Sequence, residues 1–137
     1  MTTLLFDTSV FICHLRGEDQ RCTAYLEQVA SGTLDGMISV VTVAELYAGE
    51  NITEKEEVIL DSVMKPFQVT DITAQISMQA GRLVRRWRRS HGLGLLDALI
   101  ATTALIEEVP VLTLNAKHFY FIPGLVTLNP VAPDSLA

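Results

Sequence analysis

Five short apolar runs, separated by segments of helical periodicity, restrict this chain to a layered α/β architecture more tightly than anything else in it. The first is Leu4-Leu5-Phe6, which stops abruptly at Asp7. Consecutive large apolar residues need cover on both faces, and a strand inside a parallel sheet receives it. Residues 37–41, rich in β-branched side chains after Asp35-Gly36, read as the second strand, and 67–69 as the third. Residues 111–114 form a fourth, and 125–128 an edge strand.

The intervening segments read as helices. One starts at Thr8 or Ser9, carries Val10, Phe11, Ile12 and Leu15 inward, and ends at Gly17. The next runs from near Glu18 to Gly32 with Cys22, Tyr25, Leu26 and Val29 on one side. Thr42 is expected to cap a short helix over 43–48, and an amphipathic helix over 54–64 is closed by Pro66. A long helix runs from Thr73 to about Ser90 and is broken by Gly92 and Gly94. Residues 95–107 are so apolar and alanine-rich that they predict a helix buried on most sides. Ligands of such sheets bind at the carboxyl ends of the strands, so acids placed there come first in a search for chemistry.

Size and composition narrow the class. The chain has 137 residues, 49% hydrophobic and 19% charged, which suits one well-buried domain, expected over 1–129, with a loose tail over 130–137. No apolar run approaches the roughly 20 residues that span a bilayer. The N-terminus has no basic region, and Cys13 and Cys22 lack the spacing of a zinc site, so core thiols in a reducing cytoplasm are expected. A net charge of −6 argues against a nucleic-acid partner, but five of the ten Lys and Arg residues fall between Arg82 and Arg89. A local basic ridge governs phosphate contact more than net charge does.

Three acids occupy places an ordinary fold does not require. Asp7 follows the first apolar run, Glu45 lies in Thr42-Val43-Ala44-Glu45-Leu46, and Asp97 lies in Leu95-Leu96-Asp97-Ala98-Leu99. Each alone has an ordinary explanation. Asp7 and Asp97 can cap helices, and Glu45 can face solvent or pair with Lys117. Gathered at one sheet edge, they would repel one another unless a hard divalent cation relieved the repulsion, and Mg²⁺ and Mn²⁺ prefer oxygen ligands and bridge to phosphate. His14, His91 and His118 share no spacing and are read as ordinary surface or core residues.

At these segments the chain resembles the PIN-domain nucleases, in particular toxins of the VapC type. The resemblance runs through Leu5-Phe6-Asp7-Thr8-Ser9-Val10-Phe11-Ile12, the segment from Ser39 to Gly49 with Glu45 at the acid position, and the segment from Gly94 to Ala104 with Asp97. It closes on Val111-Leu112-Thr113-Leu114-Asn115-Ala116-Lys117-His118-Phe119. It implies a three-layer PIN-like α/β domain and a Mg²⁺- or Mn²⁺-dependent endoribonuclease with Asp7, Glu45 and Asp97 as catalytic metal ligands. An RNA substrate, a cognate antitoxin and a homodimer through apolar helix faces near the N-terminal half are implied as well. Many relatives carry aspartate where this chain has Asn115, an amide that brings an oxygen but no charge. That departure keeps open a weaker second metal site, single-metal catalysis, or a PIN-like RNA- or protein-binding module with little or no catalysis. Ser9 and Thr113 are expected to orient the acids or hold water.

Arg82, Arg85, Arg86 and Arg89 fall at i, i+3, i+4 and i+7, so one helix face is basic. Such a face is either solvated, its cations complementing the helix dipole, or it contacts RNA phosphates.

Overall fold

The computed structural model describes residues 2–50 and 52–132. Twelve elements follow in order: β1 (Thr3–Phe6), α1 (Thr8–Arg16), α2 (Gln20–Ala30), β2 (Asp35–Ser39), α3 (Val40–Tyr47), α4 (Glu54–Met64), β3 (Gln68–Thr70), α5 (Ala74–His91), α6 (Leu95–Glu107), β4 (Val111–Leu112), a 3₁₀ turn (Ala116–His118) and β5 (Thr127–Leu128). The five strands form one sheet in the order β3-β2-β1-β4-β5, every pairing parallel, with helices on both faces. This is the three-layer α/β arrangement that the alternating pattern predicts, and β1 lies at its centre.

Strand parity divides the apolar side chains into two layers. Leu4 and Phe6 enter one cluster with Phe11, Tyr25, Leu26, Ile38 and Phe67, while Leu5, between them, enters another with Met37, Ala98, Ala101 and Val111. The first layer is aromatic, with the Phe67 ring 4.9 Å from Phe6 and 5.2 Å from Phe11. Gly36 makes that packing possible, because a Cβ there would stand 2.5 Å from the Phe67 ring. The second layer sets the small residues Ala80, Ala98, Ala101 and Ala104 among larger side chains such as Ile100, Phe119 and Ile122, and the alanines let α5 and α6 lie close to each other and to the sheet. Cys13 and Cys22 are free and buried in the aromatic layer, and burial pushes the Cys22 thiol up to about 12.

The structure departs from the sequence pattern at β2. Val40 and Val41 are helical, not extended, because the Ser39 hydroxyl accepts a hydrogen bond from Val41 N at 3.0 Å and starts α3 there. Preference for the strand is weak beside a cap and a buried helix face. Thr42, expected as that cap, is instead fully buried inside α3. β4 also stops early, at Leu112, which frees Thr113 and Asn115 to turn toward the sheet edge. Of the tail expected over 130–137, Val131 packs against the aromatic layer and its carbonyl accepts a 2.7 Å hydrogen bond from Arg21, while 133–137 lie outside the described residues. Among the described residues no helix is long and apolar enough to cross a membrane.

Candidate active site

The carboxyl edge of the sheet gathers the buried polar side chains of Asp7, Thr8, Ser39, Thr42 and Thr113. Asp7 leaves β1 at its carboxyl end and occupies the N-cap position of α1, yet its carboxylate makes no capping bond. It is only 5% exposed, and its Oδ2 accepts hydrogen bonds from Ser9 Oγ and from Thr113 Oγ1, each at 2.8 Å. Thr113 is carried there by β4, the strand next to β1. Backbone amides complete the arrangement, with Leu114 N donating to Ser9 Oγ at 3.0 Å and Asn115 N to Thr113 Oγ1 at 2.9 Å. Ser9 and Thr113 therefore hold one oxygen of Asp7 in a fixed place.

Glu45, one helix away on α3, is half-buried and held by a different hydroxyl. Thr8 Oγ1 donates to Glu45 Oε1 at 2.7 Å and lies 3.1 Å from Thr42 Oγ1. Thr8 holds Glu45 as Ser9 and Thr113 hold Asp7, a link the sequence hides because Thr8 lies 34 positions from Thr42 and 37 from Glu45. Lys117 makes no ion pair with Glu45 among the described residues.

Asp97 is in the first turn of α6, whose N-cap is Gly94, so it does not cap the helix itself. Its carboxyl is held above the ordinary aspartate range, first by burial, then by the negative charge of Asp7, and further by that of Glu45. His118 opposes the shift, its Nδ1 lying 3.4 Å from Asp97 Oδ2. The three acids thus share one electrostatic environment, and no Lys or Arg pairs with any of them among the described residues. His118, which spacing alone does not distinguish from the other histidines, belongs to this group. The signal for it is positional, three residues beyond Asn115 on the turn that follows β4.

An all-oxygen set of acids that burial and mutual repulsion leave under-compensated fits a hard divalent cation. As placed, no three His, Cys, Asp or Glu side chains among the described residues close tightly on one point. Asn115 is half-buried at the start of the 3₁₀ turn, and its side chain makes no hydrogen bond to the turn's backbone.

The basic face is where the pattern puts it. Arg82, Arg85, Arg86 and Arg89 are all exposed on α5, and none is in an ion pair among the described residues. Only Gly92, Leu93 and Gly94 separate α5 from α6. That link allows at most roughly 14 Å between the last residue of one helix and the first of the next. The arginine-rich end of α5 therefore borders the turn that carries Asp97.

Sequence and fold comparisons agree with the three-layer α/β fold. The PIN domain family matches residues 4–123, and the chain belongs to that family. Among its relatives is ribonuclease VapC10 of Mycobacterium tuberculosis, 40% identical over 119 residues, 85% of either chain. Ribonuclease VapC19 of the same organism is 35% identical over 122 residues, 88% of this chain and 95% of the relative. Among solved structures, VapBC2 from Rickettsia felis bound to a DNA fragment from its promoter superposes with a TM-score of 0.75 at 26% identity, covering 93% of this chain and 98% of that one.

Proposed function

We propose that this protein is a Mg²⁺- or Mn²⁺-dependent endoribonuclease, the toxin half of a toxin–antitoxin pair acting in the cytoplasm. The observation that carries the reading is that Asp7, Glu45 and Asp97 lie within one another's electrostatic reach at the carboxyl edge of the sheet, with no Lys or Arg paired to any of them among the described residues. The names of the VapC10 and VapC19 relatives and of the VapBC2 structure support it.

In this reading Asp7 and Asp97 bind the ion directly, Glu45 binds it or a water beside it, and the Asn115 amide oxygen is a weak further ligand. When bound, the ion would supply a water of lowered pKa and would offset negative charge on the phosphoryl and leaving oxygens. Ser9 and Thr113 orient Asp7, and Thr8 orients Glu45, so that the acids meet the substrate without reorganising. Arg82, Arg85, Arg86 and Arg89 hold RNA phosphates leading to the acids. Hydrolysis in line leaves a 3′-hydroxyl and a 5′-phosphate.

The antitoxin is a protein segment that covers the acids. A second copy of the chain would cover the shallow apolar hollow formed by Val40, Val41, Ala44 and the exposed Leu96 beside Glu45. The competing reading, a binding module without catalysis, is favoured by Asn115 and by the loose gathering of the acids. Incubation of an oligoribonucleotide with Mn²⁺ and with EDTA separates the two. Cleavage is expected only with the metal, and not at all with Asp97→Asn. A well-folded Asp97→Asn protein that cuts at the native rate would falsify the assignment.

A further inference from the structure

We infer that the chain carries a base-stacking subsite for an unpaired RNA nucleotide, built on Tyr120 and the aromatic cluster at the end of α5. Tyr120 is 64% exposed, which leaves much of its ring open to a ligand. It is also not loose. The Phe119 side chain before it and Ile122 after it are buried in the second layer, and Tyr120 N donates to Ala116 O at 2.9 Å. Beneath it lies an aromatic stack, with the His91 ring 6.2 Å from Tyr120 and 4.2 Å from Phe121, nearly parallel to the latter. Trp87 closes the cluster 5.4 Å from Phe121, and the Arg86 guanidinium sits 5.0 Å from the Trp87 ring centre.

Two features select the ligand. The cluster stands at the arginine-rich end of α5, where the exposed Arg86 reaches the Trp87 ring, so a polyanion held by that arginine is brought beside the rings. An exposed ring beside phosphate-binding cations is the combination by which proteins hold single-stranded nucleic acid, because every base has a face to stack and duplexes keep theirs hidden. Tyr120 is also two residues from His118, hence at most roughly 7 Å along the backbone from the residue that touches Asp97. A base stacked there belongs to a nucleotide neighbouring the phosphate that reaches the acids. The subsite would select unpaired loops over duplexes. It rests on the ribonuclease reading for its substrate, but it does not need catalysis in order to be tested.

Trp87 is the chain's single tryptophan, so its emission reports on the cluster directly. The native protein, kept in EDTA to prevent cleavage, is titrated with a short single-stranded oligoribonucleotide, the same strand in a duplex, and one with an abasic site. The single strand is expected to change Trp87 emission and to bind more tightly than either of the others. Tyr120→Ala should weaken that binding by at least about fivefold, and Tyr120→Phe should retain it. Equal affinity of native and Tyr120→Ala protein for the single strand would overturn the subsite and return Tyr120 to a face for a protein partner. RNA bound in this base-dependent way yet left uncut with Mn²⁺ would sink the nuclease reading alone. RNA cut by the native protein, with binding indifferent to Tyr120, would sink the subsite alone.

Discussion

Phe6 and Asp7 are neighbours in the chain and opposites in what they contribute. Phe6 has no exposed surface and sits among aromatic rings; Asp7, one residue on, is nearly as buried but lies among hydroxyls and acids. The interior layers are apolar: rings against rings on one side of the sheet, alanines among larger apolar side chains on the other. The carboxyl edge is not. Even there the acids differ, because Asp7 receives two hydroxyl hydrogen bonds, whereas Asp97 has His118 at 3.4 Å and is pushed toward protonation by burial first and then by the charges of Asp7 and Glu45. Stability is built in the layers and given up at the edge, as is usual where a protein holds its chemistry.

The sharpest way to break this contrast is to attack the aromatic layer. Phe11→Ala removes a ring shared with Phe6 and Phe67, and should cost about 3–5 kcal/mol in urea unfolding. Whatever activity it loses should track the unfolded fraction and return when the assay is cooled. Loss of activity in fully folded protein would show that the layer acts on the chemistry directly.

A smaller effect tests the support of Asp7. Thr113→Val keeps the shape but strips a buried hydroxyl from Oδ2, and should cost about 1–3 kcal/mol of stability. It should also lower cleavage by about 10–100-fold, the range seen when a partner that orients a metal ligand is removed. If RNA cleavage is unchanged, Thr113 is only a core residue.

Next in size is the basic face. Arg85→Ala combined with Arg86→Ala should leave thermal stability nearly untouched, because both side chains are exposed and outside any ion pair among the described residues. Binding to single-stranded RNA should weaken, and its logarithmic salt dependence should flatten by roughly 1.4, about 0.7 for each phosphate that is no longer neutralised. An unaltered slope assigns the arginines to solvent.

The smallest effect sharpens the difference between the two acids. Asp97→Asn should raise the melting temperature of metal-free protein at neutral pH. The sign follows from the raised carboxyl: the folded state binds its proton more readily than the unfolded one, so the native protein loses stability as pH climbs from the ordinary aspartate value through the elevated one. Below both values the carboxyl is neutral in either state and the advantage of the amide should disappear. Melting curves with the advantage in acid and none at neutrality would mean that the Asp97 carboxyl is not held above its ordinary range by burial and repulsion at the edge.

Much of this was legible before folding. The parity of Leu4, Leu5 and Phe6 and the helical periods read over 18–32, 54–64 and 73–90 each reflect interactions within a few residues, and the observed helices over 20–30, 54–64 and 74–91 follow them closely. The resemblance to PIN-domain nucleases placed Asp7, Glu45 and Asp97 together in expectation, and in the structure their fields overlap. Val40 and Val41 misled because a β-branched pair is compatible with either state, and the choice was made by Ser39's cap and by burial of α3. His118, Thr8 and Thr42 were missed for another reason: each acts on a residue from another part of the chain, at a distance no spacing rule covers.

By itself the amino-acid order determined the layers, because whether a side chain faces in or out along a strand or helix repeats with a local period and needs no knowledge of the partner. What only the tertiary structure decided is the company the acids keep. Which hydroxyl reaches Asp7, which histidine reaches Asp97, and where the arginines and Tyr120 lie relative to both depend on how β1, β4, α3 and α6 meet. Those distances are set by packing between remote segments, and it is packing that turns three ordinary acids into one electrostatic site.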